Sequence, residues 1–285
     1  PVDNGQHIFL GCCTDYRWFL QELGVQDKVY LQRQLRLQVY GPDGRGRDLA
    51  AWPLLPAPLH MLWSFLRYPY ITLRDRMRAV PSLVHIWRTN LSRHPELEQE
   101  TFYSWLRRHG QSERAIDQFW NLIILPTLND DIRVVSANMG FMMFQGGLLQ
   151  NRHSGDVGYS RVGLSELMGN AALEHLRHRG GKVLLGHTIK RIHVQDSRVA
   201  GVELPDGTIL TANAYISALP FDDLLSILPH VERGNSFFSP AASLEWSPIV
   251  DLHIWYDRPV ADFDFAAFVE SPVQWVFNKS VIMGD

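Results

Sequence analysis

The stretch from Gly163 to Pro220 constrains this chain more than any other. Gly163-Leu164-Ser165-Glu166-Leu167 opens an amphipathic helix that puts Leu164, Leu167, Met168, Ala171 and Leu176 on one face. Gly180-Gly181 stops it. Residues 182–185 then read as a strand, 188–194 as a second and 198–204 as a third. Pro205-Asp206-Gly207 is a turn, and 208–210 pair back. Residues 214–218 read as a buried strand, and Pro220 opens a helix over 221–228. Helices interleaved with strands in this way predict an α/β layer rather than a bundle or a sandwich.

The rest of the chain has a different pattern. Residues 15–23 read as a helix closed by Gly24, and 34–40 and 47–52 as a hairpin about Gly41-Pro42-Asp43-Gly44. From 59 to about 150 the pattern is helical, with Thr72, Thr101, Ser112 and Ser136 as N-caps and breaks at Gly110, Pro126 and Asn129-Asp130-Asp131. The tail reads as strands over 249–256, 266–270 and 273–277. A helical block between two sheet-like parts is the mark of a discontinuous domain. Boundaries are expected at 1–13, 14–154, 155–230 and 231–285.

The 285 residues are 46% hydrophobic, 20% charged and 11% aromatic, which excludes a disordered chain. A net charge of -3 gives no basic field, so nucleic acid is excluded as the expected partner. None of the 12 histidines sits in an HExxH pair, and no metal site is expected. The two cysteines, Cys12 and Cys13, are adjacent and fit neither a CxxC motif nor a zinc pattern, which points to a reducing cytoplasm. No run of 18 apolar residues reads as a membrane-spanning helix.

Near its start the chain reads Asp3-Asn4-Gly5-Gln6-His7 and then turns apolar. A glycine lets backbone approach a flat ring, and Asn and Gln bring both donors and acceptors. The same five residues also suit a polar turn before a helix. Together with the order of elements from Gly163 to Pro220, they resemble the FAD-binding domain of the amine oxidase and phytoene desaturase superfamily. The chain is similar, more narrowly, to the squalene-associated FAD-dependent desaturases, the hydroxysqualene dehydroxylases. That resemblance runs through Asp3–His7, Leu55-Pro56-Ala57-Pro58-Leu59-His60, Thr72-Leu73-Arg74-Asp75-Arg76, Trp105-Leu106-Arg107-Arg108-His109-Gly110, Leu128-Asn129 and Gly163–Leu167.

The resemblance implies a mixed α/β, Rossmann-like flavoprotein fold with an inserted helical substrate domain and a second sheet. It implies FAD as cofactor and the reductive conversion of hydroxysqualene to squalene. Carotenoid desaturation or amine oxidation is the alternative within the superfamily, and a lipid-binding protein without catalysis is the alternative outside it. Asp3, Asn4, Gly5, Gln6 and His7 would face the flavin. Ile189 would offer backbone to the adenine or be a core strand residue, and Ala218 and Pro220 would border the cofactor. The phosphate-binding G-x-G-x-x-G unit is expected before Pro1 and a closing Gly-Asp segment after Asp285. The chain alone is therefore expected to be inactive and poorly soluble.

The substrate would be an apolar C30 isoprenoid. Trp105, Trp120, Met142 and Phe144 either line a channel for it or form plain core, and Asn129 stands beside them as a polar candidate. Loss of a hydroxyl needs a proton donor. His7 is the first candidate, with His60 and His109 in other matching motifs. Trp52, Leu54, Leu55, Leu59, Leu62, Trp63, Phe65, Leu66, Tyr68 and Tyr70, flanked by Arg67 and Arg74, are either core or a face for the inner membrane surface.

Overall fold

A computed structural model of the chain describes residues 3–284. Pro1 and Val2 of the first expected segment, and Asp285 of the last, lie outside the described residues. Two compact units emerge, 1–175 with 249–285, and 176–248. These divisions differ from those read in the sequence because pairing ties distant segments together, as described below.

Strand β1 (Ile8–Leu10) leads into helix α1 (Thr14–Glu22), which Gly24 closes at φ 68°. Strand β2 (Val29–Leu31) precedes the hairpin β3 (Arg36–Tyr40) and β4 (Gly46–Ala50), in register from Arg36↔Ala50 to Tyr40↔Gly46. The helical block follows with α2 (Leu62–Arg67) and α3 (Leu73–Arg88). Thr72 and Asp75 form a reciprocal capping box at the start of α3, both contacts 3.1 Å, and the buried Asp75 also accepts from the Ser112 hydroxyl at 2.7 Å.

Thr101 caps α4 (Phe102–Arg108), and Ser112 caps α5 (Glu113–Ala115). A π turn, Ile116–Trp120, joins α5 to α6 (Asn121–Leu128), which Asn129 ends in the left-handed region. Ser136 caps α7 (Ala137–Phe144). All four N-caps expected from sequence are therefore used, because capping is a contact between residues two or three apart. Strand β5 (Val157–Ser160), buried at every position, was not foreseen. It lies between β1 and β2, antiparallel to both, and so draws 155–175 into the first unit. Helix α8 (Ala171–His178) continues a π turn at Ser165–Asn170.

In the second unit β6 (Arg191–Gln195), β7 (Arg198–Glu203) and β8 (Ile209–Leu210) make an antiparallel sheet in that order. Helices α9 (Phe221–Ile227) and α10 (His230–Arg233) follow. Two expected strands are absent among the described residues. Residues 182–185 and 214–218 form no ladder and are almost wholly exposed. Both are apolar enough for a strand, but a strand exists only where another backbone completes its hydrogen bonds.

The chain then returns to the first unit. The expected strand at 249–256 is also missing, and those residues are exposed. Strands β9 (Phe265–Phe268) and β10 (Trp275–Phe277) are present, and α11 (Lys279–Met283) ends the described chain. Strand β9 pairs parallel with β3 and antiparallel with β10, giving the order β10-β9-β3-β4. The main core lies in the helical block, where Phe102, Trp105, Trp120, Phe141 and Phe144 pack ring on ring, with Trp105–Phe141 at 4.8 Å and Trp120–Phe144 at 4.9 Å.

Candidate functional site

The polar segment near the chain start is anchored at both ends. Both carboxylate oxygens of Asp3 accept from the Leu164 amide, at 3.2 and 3.3 Å, just before the helical turn at Ser165–Asn170. The two stretches that suggested a cofactor site, 3–7 and 163–167, therefore touch. At the other end β1 continues into the three-stranded sheet. Between them His7 Nε2 lies 3.3 Å from Asn4 Oδ1, and the Lys279 ammonium donates to Gln6 Oε1 at 2.7 Å. The Gln6 amide nitrogen donates to the His7 carbonyl at 3.2 Å.

Two glycines set the backbone path. A Cβ on Gly5 would stand 2.7 Å from an Asp251 carboxylate oxygen, and one on Gly11 would stand 1.9 Å from the His153 carbonyl oxygen. Gly11 and Cys12 donate to the carbonyls of Asp156 and Ser154 at 2.8 and 3.0 Å. No side chain fits there.

His7, Ile8, Phe9, Cys13, Tyr16, Ser160, Leu164 and Met168 line an open concavity of about 260 Å³. Cys13, Tyr16 and Ser160 were not singled out for a site, because β1, α1 and β5 meet only through long-range pairing. The signal present in sequence was the Cys12-Cys13 pair just before a helix. Cys13 is the N-cap residue of α1. A hydrogen bond from the Cys12 thiol, aided by the Leu10 backbone, holds its thiol down to about 6 against the pull of burial. The same contact pushes the Cys12 thiol up. Burial, with Cys13 nearby, raises the Tyr16 phenol. The concavity thus pairs an apolar floor with an imidazole, a thiol whose pKa is lowered and a phenol whose pKa is raised.

The other candidates fall elsewhere. Ile189, Ala218 and Pro220 all lie in the second unit. Ile189 precedes β6 instead of lying on a strand, Ala218 is exposed and outside any strand, and Pro220 is the N-cap residue of α9. Trp105, Trp120 and Phe144 are sealed in the core of the helical block. Met142 is exposed on α7, and Asn129 is exposed at the end of α6. His109 stacks on Trp105 at 3.8 Å and bonds its carbonyl through Nδ1 at 2.8 Å, a structural arrangement. His60 is buried, and its Nδ1 has no partner. Among the described residues no cluster of His, Cys, Asp or Glu could hold a metal ion, and no helix is long and apolar enough to cross a membrane.

A flavin edge fits residues 3–7. Asn4 and Gln6 carry amide donors and acceptors, now engaged with His7 and Lys279, which a flavin edge would replace, and the space beside Gly5 that a Cβ would take is held by the Asp251 side chain. Bound there, FAD would supply two-electron redox chemistry. The chain's own residues would position its edge through Asn4 and Gln6, fix the segment through Asp3, and hold a proton at His7.

The chain is 25% identical to 15-cis-phytoene desaturase of Synechococcus elongatus over 96% of its own length and 59% of that protein. It is 25% identical to the chloroplastic/chromoplastic 15-cis-phytoene desaturase of Narcissus pseudonarcissus, covering 96% of this chain and 49% of that one. It thus spans about half the length of the curated relatives it matches. The fold is shared with an oxidoreductase from Methanosarcina mazei, at TM-score 0.60 and 16% identity over 84% of this chain and 53% of that one. A putrescine oxidase triple mutant gives 0.55 and 15% over 82% and 53%. These likenesses establish the mixed α/β fold. Residues 1–273 match the model of the flavin containing amine oxidoreductases, and the chain belongs to that family, whose cofactor is FAD.

Proposed function

We propose that the chain is part of an FAD-dependent enzyme that acts on a long apolar isoprenoid, and that its reaction is the reductive dehydroxylation of hydroxysqualene to squalene. The observation that carries this reading is the ordered set of six motifs from Asp3–His7 to Gly163–Leu167, which resembles the hydroxysqualene dehydroxylases across the chain. The reaction consumes two electrons and two protons, breaks a C–O bond, forms a C–H bond and releases water. Reduced flavin supplies the electrons. His7, exposed beside the concavity, is the residue to give a proton to the departing hydroxyl.

The test is incubation of the full-length protein with hydroxysqualene and reduced flavin. Squalene is the expected product, and His7→Ala is expected to slow its formation about 100-fold. No squalene from a yellow, flavin-loaded protein would overturn the reading. A second reading, desaturation of a carotenoid precursor, is favoured by the phytoene desaturase relatives. Oxidation of phytoene by the same preparation would select it.

Contact with a membrane surface belongs to the same proposal. Trp52, Leu54, Leu59, Leu62, Trp63 and Leu66 are exposed, and the Arg67 guanidinium sits 3.9 Å over the Trp63 ring. Apolar side chains beside a cation suit a lipid interface, from which an isoprenoid would be drawn.

A further inference from the structure

Lys279, the first residue of α11, reaches from near the end of the described chain to the polar segment 3–7, where its ammonium donates to Gln6 Oε1 at 2.7 Å. The lysine is half-buried, and this partner is a neutral amide. Lys28 and Lys190 are matched differently, with Glu166 at 2.9 Å and Glu203 at 2.7 Å. Among the described residues no ion pair includes Lys279. The Asp251 carboxylate packs against Gly5, one position from Gln6, without closing on the ammonium. Withdrawing a cation from water costs free energy, and a neutral acceptor offsets less of it than a counter-charge does. Nor does the lysine serve its own helix. The first turn of a helix favours acidic side chains, and a cation there is set against the exposed N–H groups. Its backbone is nevertheless fixed by Asn278, whose side-chain amide donates to the Ala261 carbonyl at 3.0 Å and whose backbone N–H donates to the Asp264 carbonyl at 2.8 Å.

We propose that Lys279 is the counter-charge for the reduced flavin and thereby sets the reduction potential of the cofactor. With FAD along residues 3–7, an acceptor on its polar edge takes the place of Gln6 Oε1 before the ammonium. Reduction by two electrons with uptake of one proton adds one negative charge to the ring system. A fixed cation at that edge stabilises the charged product more than the neutral starting form, and does so more strongly where water is partly excluded. The electrons come from the enzyme's electron donor and the proton from water, and no bond of the protein is made or broken. Reduced FAD is therefore held more tightly than oxidised FAD, and by linkage the ratio of the two affinities is the shift in the oxidation–reduction equilibrium. A lysine that merely tethered Gln6 would leave that ratio unchanged.

This role for Lys279 rests on the flavin edge at residues 3–7 and not on the identity of the substrate. The experiment poises the flavin-loaded, full-length protein anaerobically against reference dyes, with no substrate present. It reads the midpoint potential of the unaltered protein and of Lys279→Gln, Lys279→Met and Lys279→Arg. Both neutral variants are expected to move the equilibrium toward oxidised flavin about tenfold, which is about 30 mV for a two-electron couple. Lys279→Arg keeps the charge and is expected to stay close to the unaltered protein. Titration with oxidised and with reduced FAD yields the same ratio from affinities, and decides for any variant that loses its flavin on purification. The two neutral side chains differ in shape and polarity, so a variant that failed to fold would leave the other to decide. An unchanged potential in a folded neutral variant would overturn the counter-charge, and so would an equal fall in Lys279→Arg, which would make the lysine a tether. Because no substrate enters, the potential can shift as expected in a protein that makes no squalene, which would sink only the proposed reaction.

Discussion

Trp120 and Phe144 in the first unit are fully buried, whereas Ile216 in the second is 96% exposed and Phe237 81%. The two units carry apolar residues in comparable patterns and treat them in opposite ways. In the first, α4, α5–α6 and α7 present their rings to one another, and local caps fix each helix before it packs. In the second, the three-stranded sheet is short, and among its described hydrophobic residues Leu204 and Leu228 are the buried ones. An apolar pattern states what a segment is able to bury. Whether it does so depends on a partner surface that the segment itself does not encode.

Large-to-small substitution gives the widest contrast. Trp120→Ala removes a ring packed on Phe102 and Phe144 and orphans Gln111 Oε1, which now accepts from the indole at 3.1 Å. It is expected to cost about 4 kcal/mol in urea unfolding. Ile216→Ser in the second unit is expected to change stability by less than about 0.5 kcal/mol and to reduce self-association seen by light scattering. Equal losses at the two sites would break the comparison.

Small-to-large substitution sharpens it. Gly11→Ala drives a methyl into the His153 carbonyl where β1 meets the segment before β5. Backbone cannot give way as a side chain can, so a loss of about 3 kcal/mol is expected. At Gly234, which closes α10 at φ -83°, an added Cβ would meet its nearest neighbour at an ordinary 3.9 Å. Gly234→Ala is expected to be neutral within about 0.5 kcal/mol in the same assay.

The contrast also sorts what was legible in the sequence. Thr72, Thr101, Ser112 and Ser136 announced their helices because each cap is made within one turn. The hairpin about Gly41–Gly44 was legible for the same reason. Strand β5 was not, since Val157-Gly158-Tyr159-Ser160 is only four residues long and is defined by partners more than 120 residues away. Residues 182–185, 214–218 and 249–256 erred the other way: strand-like composition, no ladder. At the candidate site, Asp3–His7 and Gly163–Leu167 stood out by residue type, and the Asp3–Leu164 contact joins them. Cys13, Tyr16 and Ser160 did not stand out, because only the closing of β1, α1 and β5 around one space gives them a shared surface.

Acid provides the subtlest separation of the units. His60 is 1% exposed, and burial pushes its imidazole below the ordinary histidine range, with His153 and Arg152 adding to the push and Asp156 opposing it. The folded state therefore binds fewer protons than the unfolded chain once pH falls below about 6.5, the unfolded value. Stability contributed by the neutral imidazole is whole above that point and is lost as pH falls toward the depressed folded value. The histidines of the second unit are exposed or half-buried, so its sheet lacks this source of acid sensitivity. His60→Phe keeps a ring in the cavity and cannot take up the proton. Thermal unfolding from pH 7.5 down to the onset of carboxylate titration, about pH 5, is expected to show a falling midpoint for the unaltered protein and a flatter one for His60→Phe. Hydrogen exchange should place the acid-labile amides in the turn before α2, which holds His60, and in residues 152–156, whose charges act on it, and not in β6–β8. Parallel slopes for the two proteins would assign the acid response to carboxylates and remove buried His60 from the contrast.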